Sequence, residues 1–317
     1  MKPVPAMLLA LAALLPAAAG AQEGERLTPP TSQTVSVERF GGLSGDRAFG
    51  AYQRGFYKTA LELARERAEA GDADAQILAA ELLSRGLGVR RDIEEAARLY
   101  EAAALQGDAE AKFRFAMMLL DGAGVERDRD RAYEMMEEAA EAGHPLAQFN
   151  YAQVVLDQQP NFEGEERARD LFLAAAEAGI ADAQYAMAQM HLAGIGRAAP
   201  DEAEARRWLQ MAAQRNHDTA QLELATMMVG GRGGDVDFEA GFSWMKRAAE
   251  MGNVAARNRL AKLYRSGIGV EGDSLQAAAW YLLARQSGLF DPEMEDHLYG
   301  LDEEEIAEAQ QRAATLR

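Results

Sequence analysis

The chain has no cysteine. A disulfide framework, a thiolate nucleophile and a zinc–thiolate centre are therefore excluded. Runs of Val, Ile and Thr with strand character are nearly absent, so a sheet has little to be built from. Basic residues are in the minority: 33 Lys and Arg stand against 51 Asp and Glu, a formal net charge of -18. That balance argues against nucleic acid as a partner, because phosphate binding needs basic surface, and against adsorption to anionic membranes. Catalytic signatures are missing as well. There is no H-E-x-x-H, no G-x-S-x-G and no phosphate-cradling glycine loop. No cofactor or metal is expected.

What is present is Ala, Glu, Leu, Arg, Gln and Met throughout, a composition that predicts an all-α protein. The first 21 residues, MKPVPAMLLALAALLPAAAGA, have another purpose. Lys2, a short apolar run from Ala6 to Leu15, the break at Pro16 and the small residues to Ala21 have the layout of a secretory signal peptide. Cleavage is expected before Gln22. The three prolines and the short apolar stretch argue against a retained anchor, so no membrane insertion is expected after cleavage. Residues 22–45 are polar and rich in turn residues, and read as a flexible linker.

From there the chain keeps a 36-residue beat. A glycine follows an Ala-rich stretch at Gly71, Gly107, Gly143, Gly179, Gly252 and Gly288, with Asn216 in the same column. Glycine and asparagine tolerate a left-handed backbone, so this marker predicts a helix C-terminus at positive φ. Other columns stay in step. Ala75, Ala111, Ala147, Ala183, Ala220 and Ala256 fall four residues after a marker, and paired alanines such as Ala139-Ala140 precede it. Larger apolar residues are expected to fill the space between helices, eight before the marker (Leu99, Met135, Leu171, Trp208, Trp244, Trp280) and eight after it. Glycine pairs such as Gly122 and Gly124 predict a tight turn inside each unit. Asp92, Asp128, Asp201, Asp237 and Asp273 are placed to cap the second helix, with capping boxes at Asp92–Glu95 and Asp201–Glu204. One such hairpin cannot bury its own apolar face, whereas stacked neighbours can. Ala48 to Ala70 reads as an atypical leading hairpin and Glu303 to Leu316 as a closing polar helix.

The combined pattern A-x2-W-x3-AA-x2-G-x3-A-Q-x7-Y-x2-G-x-G-V-x2-D resembles the Sel-1-like repeat family, kin of tetratricopeptide repeats. Arg98 to Ala132 and Phe242 to Ala277 are the best copies, and the resemblance covers about Leu61 to Gly288. It implies an α/α-solenoid that acts as an adaptor in protein complexes, often exported. The expected layout is a signal peptide (1–21), a linker (22–45), the solenoid (46–290) and an acidic C-terminal capping helix (291–317). The third repeat departs from the pattern, with Gln158 to Gly164 in place of the glycine turn. That stretch is a recognition loop, a bend or drift in exposed sequence.

The histidines, methionines and carboxylates suggest no chemistry. His144 and His217 follow a marker, where the family often has histidine, and His191 falls in a core column. Paired methionines such as Met117-Met118 read as packing. In related solenoids the first helix of each hairpin lines the concave surface. Columns three, seven, ten and fourteen after the marker share one helix face, away from core columns four, eight, nine and twelve. An exposed binding face of Arg114, Met117, Asn150, Gln153, Gln189, Glu223, Arg259 and Lys262 is therefore expected. The function expected is a non-catalytic periplasmic scaffold or regulator that binds an envelope protein in this groove. The alternative is a module for an envelope glycan, such as peptidoglycan or an exopolysaccharide.

Overall fold

The computed structural model describes residues 46–196 and 199–316; the expected signal peptide and linker lie outside the described residues. Among the described residues there are sixteen helices and no strand. None of these helices is long and apolar enough to cross a membrane. The chain divides into two compact units, one ending at Ala178 and one running from Gly179 to the C-terminus. The first holds α1 (Arg47–Gln53), α2 (Tyr57–Glu69), α3 (Ala73–Arg85), α4 (Ile93–Leu105), α5 (Ala109–Asp121), α6 (Arg129–Glu141), α7 (Pro145–Gln158) and α8 (Phe162–Glu177). The second holds α9 (Ala181–Ala193), α10 (Glu202–Gln214), α11 (Asp218–Gly230), α12 (Phe238–Glu250), α13 (Val254–Ser266), α14 (Ser274–Gln286), α15 (Pro292–Tyr299) and α16 (Glu303–Thr315). Within each unit successive helices pack on one another as far as α15, the pattern of an α/α-solenoid, and α16 packs back on α14.

The marker column has the backbone the sequence requires. Asn216, at φ 65°, is the one non-glycine at positive φ among the described residues, and it stands where the other repeats have glycine. The turn inside a repeat needs glycine for a second reason. Gly124, at φ 71°, is pressed against the start of α4 in the preceding repeat, where a Cβ would overlap the Ile93 carbonyl. The turn is thus also a contact between neighbouring hairpins. All five expected aspartates cap their second helices, each accepting a first-turn backbone N–H. The two expected capping boxes are only half formed. Glu95 turns to Arg65 of the preceding hairpin, at 2.7 Å, and Glu204 pairs with Arg207. A reciprocal box forms instead at Asp302 and Glu305, opening α16.

The alanine columns are buried throughout, so neighbouring helices approach closely. The large-residue column is shifted by one from its expected place. Leu99, Met135, Leu171, Trp208 and Trp244 are half-buried, and only Trp280 of that set is fully buried. Each second helix is filled one residue later, by Tyr100, Met136, Phe172, Leu209, Met245 and Tyr281. The first five lie three and four positions before the paired alanines and Tyr281 three before Ala284, hence on their face, whereas the column before them points about 100° away. The third repeat also departs from the pattern. Helix α7 runs on to Gln158, and Asn161 rather than an aspartate caps α8, which starts early. Gly164 stands where the other repeats have their capping aspartate, and its backbone lies against the Gln159 carbonyl.

The C-terminal segment folds as two helices rather than one. Helix α16 lies on α14, burying Ala309 and Ala313. The short α15 buries Met294 and Leu298 in the same apolar core.

Candidate interaction face

Each first helix needs an N-cap, and the side chain after the marker provides it in every repeat but that of Ile180. Asp72 and Asp108 do so with carboxylates. His144 and His217 do so with Nδ1, which accepts the amides of Ala147 and Ala220 at 3.1 Å. The sequence reading placed both histidines in a turn and missed this role, although the aspartates in the same column were the signal for it. A ring nitrogen that accepts an N–H carries no proton, so the proton of His144 sits on Nε2 and is donated to Glu110 Oε2 at 2.7 Å. His144 also stacks on Phe113, and His217 stacks on Tyr185, each ring belonging to the preceding repeat. The remaining histidine of the array, His191, is half-buried near the end of α9 rather than fully in the core.

In residues 46–178 the first-helix face is closed by its own side chains. Arg114 is largely buried and bonds to Glu110 at 2.6 Å. Burial pushes the Glu110 carboxyl up, but its bond to His144 and the charge of Arg114 outweigh that and hold it down at about 2. Glu81 is buried, paired with Arg85 at 2.9 Å and accepting from the Tyr100 hydroxyl at 3.2 Å. Burial and the Glu81 charge push the Tyr100 phenol far up, so it stays a neutral donor.

Two of the expected exposed residues here are not exposed. Met117 is 8% accessible and Asn150 is 0%, its amide donating to the Leu146 carbonyl at 2.7 Å. The reason is visible in the bonds between repeats. Columns three, seven and ten lie in the seam where adjacent first helices meet, so a side chain there reaches its neighbour before it reaches solvent. Gln153 is half-buried.

In residues 179–317 columns seven and ten stay more open. Ala186, Ala193 and Thr226 are half-buried, and Gly230 and Ala255 are exposed. Glu223 accepts from Tyr185 at 2.7 Å and from Gln189 at 2.6 Å, leaving both Glu223 and Gln189 half-accessible. Burial first, then the Glu223 charge, pushes the Tyr185 phenol up. Arg259 is exposed and donates to Thr226 at 2.6 Å. Lys262 is held by Asp291 at 2.7 Å and Glu293 at 2.9 Å, at the start of α15. The basic end of the face is thereby neutralised by the chain's own acidic segment.

Of the expected residues, Gln189 and Glu223 are brought into direct contact, and Arg259 joins the same row through Thr226. Arg114, Met117, Asn150 and Gln153 form no such accessible row. Among the described residues no group of three or more His, Asp or Glu is arranged to hold a metal ion.

No curated protein matches the chain. Solved structures similar to it include two of the same repeat type. A Sel1 repeat protein from Oxalobacter formigenes is 25% identical, with a TM-score of 0.64 over 77% of this chain and 97% of that one. The protein c5321, a protective antigen present in uropathogenic Escherichia coli strains and displaying an SLR fold, is 24% identical, with a TM-score of 0.52 over 81% of this chain and 63% of that one. The second likeness is one of fold. A Sel1 repeat family model matches residues 73–108, 109–144, 145–180, 181–217, 219–253 and 254–289, more than half of the sequence. Those segments coincide with the hairpins that begin at α3 and end at α14, and the chain belongs to the Sel1 repeat family.

Proposed function

We propose that this protein is an exported interaction scaffold, working in the periplasm, whose partner-binding surface is the first-helix face of residues 179–317. Sel1 repeat proteins generally mediate protein–protein interaction and are generally non-catalytic. The observation that carries the finer reading is the accessible row Gln189, Glu223, Thr226 and Arg259 beside low-profile alanines. Varied polar groups above small residues suit an extended segment or helix of a protein partner. The export reading rests on the layout of residues 1–21. The glycan alternative required aromatic groups on this face. Its columns hold none, so nothing favours it.

The test is crosslinking of the full-length protein in intact envelopes, comparing wild type with the Gln189→Lys/Arg259→Glu double variant. A protein partner captured by wild type and lost from the variant is expected. Equal capture would move the site off this face. In the same preparations the N-terminal peptide, read by mass spectrometry, should begin at Gln22; an intact Met1 terminus would overturn the export reading.

A further inference from the structure

The histidines that cap α7 and α11 are each engaged at both ring nitrogens. In His144, Nδ1 accepts the Ala147 N–H at 3.1 Å and Nε2 donates to Glu110 of the preceding repeat at 2.7 Å. In His217, Nδ1 accepts the Ala220 N–H at 3.1 Å and Nε2 faces Asp182 of the preceding repeat at 3.5 Å. Each ring is held by its stack, 4.9 Å from Phe113 and 4.6 Å from Tyr185, and only 11% and 14% of the two side chains is accessible. A half-turn of either ring would put carbon where each nitrogen stands, so neither contact would survive it.

The charged groups facing His144 are Glu110 and Arg114 of α5, bonded to each other at 2.6 Å; α6 meets it through the Ala139 carbonyl, which accepts its backbone N–H at 3.0 Å. Around His217 stand Asp182 of α9, Asp218 in the first turn of its own helix, and Glu223, which is bonded to Tyr185. Helix α10 contributes the Ala212 carbonyl, at 3.2 Å from the His217 backbone nitrogen.

One repeat later in the same column, Asn253 shows the arrangement without a titrating group. Its Oδ1 accepts the Ala256 N–H at 2.9 Å, and its Nδ2 donates to Asp218 of the preceding repeat at 3.0 Å. Amide and neutral imidazole thus do the same two jobs, accepting from the helix they cap and donating to a carboxylate one repeat back. They part on acidification. An amide keeps both roles across the range in which histidine gains its proton, about pH 5 to 8. An imidazolium donates from both nitrogens. Its Nε2–H still meets the carboxylate, but its Nδ1–H would point at the N–H of Ala147 or Ala220. A positive charge at a helix N-terminus is also opposed by the helix dipole.

We infer that His144 and His217 are acid-released caps: on protonation the first turns of α7 and α11 come free of Nδ1, while Nε2 keeps each ring on the preceding repeat. One such cap lies in each of the two units. Helix α11 carries Glu223 and Thr226, so acid loosens a helix of the interaction face proposed above. That consequence rests on the proposed face, whereas the uncapping does not.

The test is amide hydrogen exchange in the full-length protein, isotope-labelled in alanine, read by NMR at about pH 8 and about pH 5 and corrected for intrinsic exchange. Protection of Ala147 and Ala220 should fall about fivefold at the lower pH, the effect of losing one cap. Ala111 and Ala256, capped by Asp108 and Asn253, should keep theirs. In the His144→Asn/His217→Asn variant all four alanines should be equally protected at both pH values, because this column already accepts asparagine at Asn253. Unchanged protection of Ala147 and Ala220 in the wild type, an equal fall at Ala256, or a fall that persists in the asparagine variant would each overturn the proposal.

Discussion

The first-helix faces of residues 46–178 and 179–317 are cut from the same columns of the same repeat, and they differ in what they leave open. In the former, column seven holds Leu78, Arg114 and Asn150, and column ten holds Glu81, Met117 and Gln153; of these, Leu78, Glu81, Met117 and Asn150 are buried. In the latter, the same columns hold Ala186, Glu223 and Arg259, then Gln189, Thr226 and Lys262, and none is fully buried. The backbone is alike in both. What lies across the seam differs: Glu81 is enclosed beneath the Tyr100 hydroxyl, whereas Glu223, bonded to Tyr185 and Gln189, stays half-accessible. A solenoid can therefore spend one stretch of a face on its own cohesion and leave another for recognition.

The comparison breaks if the two scaffolds are not equivalent, and the turn glycines test this with the largest effects. Gly124→Ala and Gly233→Ala each force a Cβ into a carbonyl of the preceding repeat, at Ile93 and Glu202, with φ near 70°. Each should cost about 4 kcal/mol, left-handed strain and overlap together, as read by urea denaturation followed by circular dichroism. Equal losses would support a common scaffold; a loss confined to one variant would show that the units differ in more than their faces.

The buried acid sharpens it next. Glu81→Ala leaves the Tyr100 hydroxyl buried without its acceptor and Arg85 without its partner, and should cost about 3 kcal/mol. Glu223→Ala takes the acceptor from the Tyr185 hydroxyl and from Gln189, but Glu223 and Gln189 are half-accessible and no ion pair is broken, so the cost should be smaller, about 1.5 kcal/mol. Equal costs in the same denaturation assay would mean that the open face is as structural as the closed one.

The smallest effect is one of pH. The Glu110 carboxyl, ordinarily near 4.5, is held down at about 2 in the folded protein. A lowered pKa contributes stability that is present above about 4.5 and lost as pH falls toward about 2. For a partly exposed group this amounts to about 1 kcal/mol after screening. Amides of α5 and α7 should lose hydrogen-exchange protection across that window, and Glu110→Gln should flatten the dependence there while leaving α11 and α13 unchanged.

Much of the fold could be read from the residues alone. The marker column, the glycine pairs and the capping aspartates are backbone requirements, and a backbone requirement written into a single residue type is visible one position at a time. The substitution of Asn216 for glycine was legible for the same reason. The interaction face was harder to read. Met117 and Asn150 share a helix face with Gln189 and Arg259 by spacing, and spacing places a residue on a helix without saying what lies across from it.

The amino-acid sequence by itself determined the helical class, the 36-residue period, the places where the chain turns and the caps that start the second helices, because propensity, positive φ and end-capping are local. Tertiary structure decided which residue of each second helix enters the core, that His144 caps a helix while binding Glu110, that Lys262 is occupied by Asp291 and Glu293, and that one face is closed where the other is open. Each of these depends on the distance between side chains from different repeats. That distance is set by how closely the alanine-lined helices pack, and no single repeat contains it.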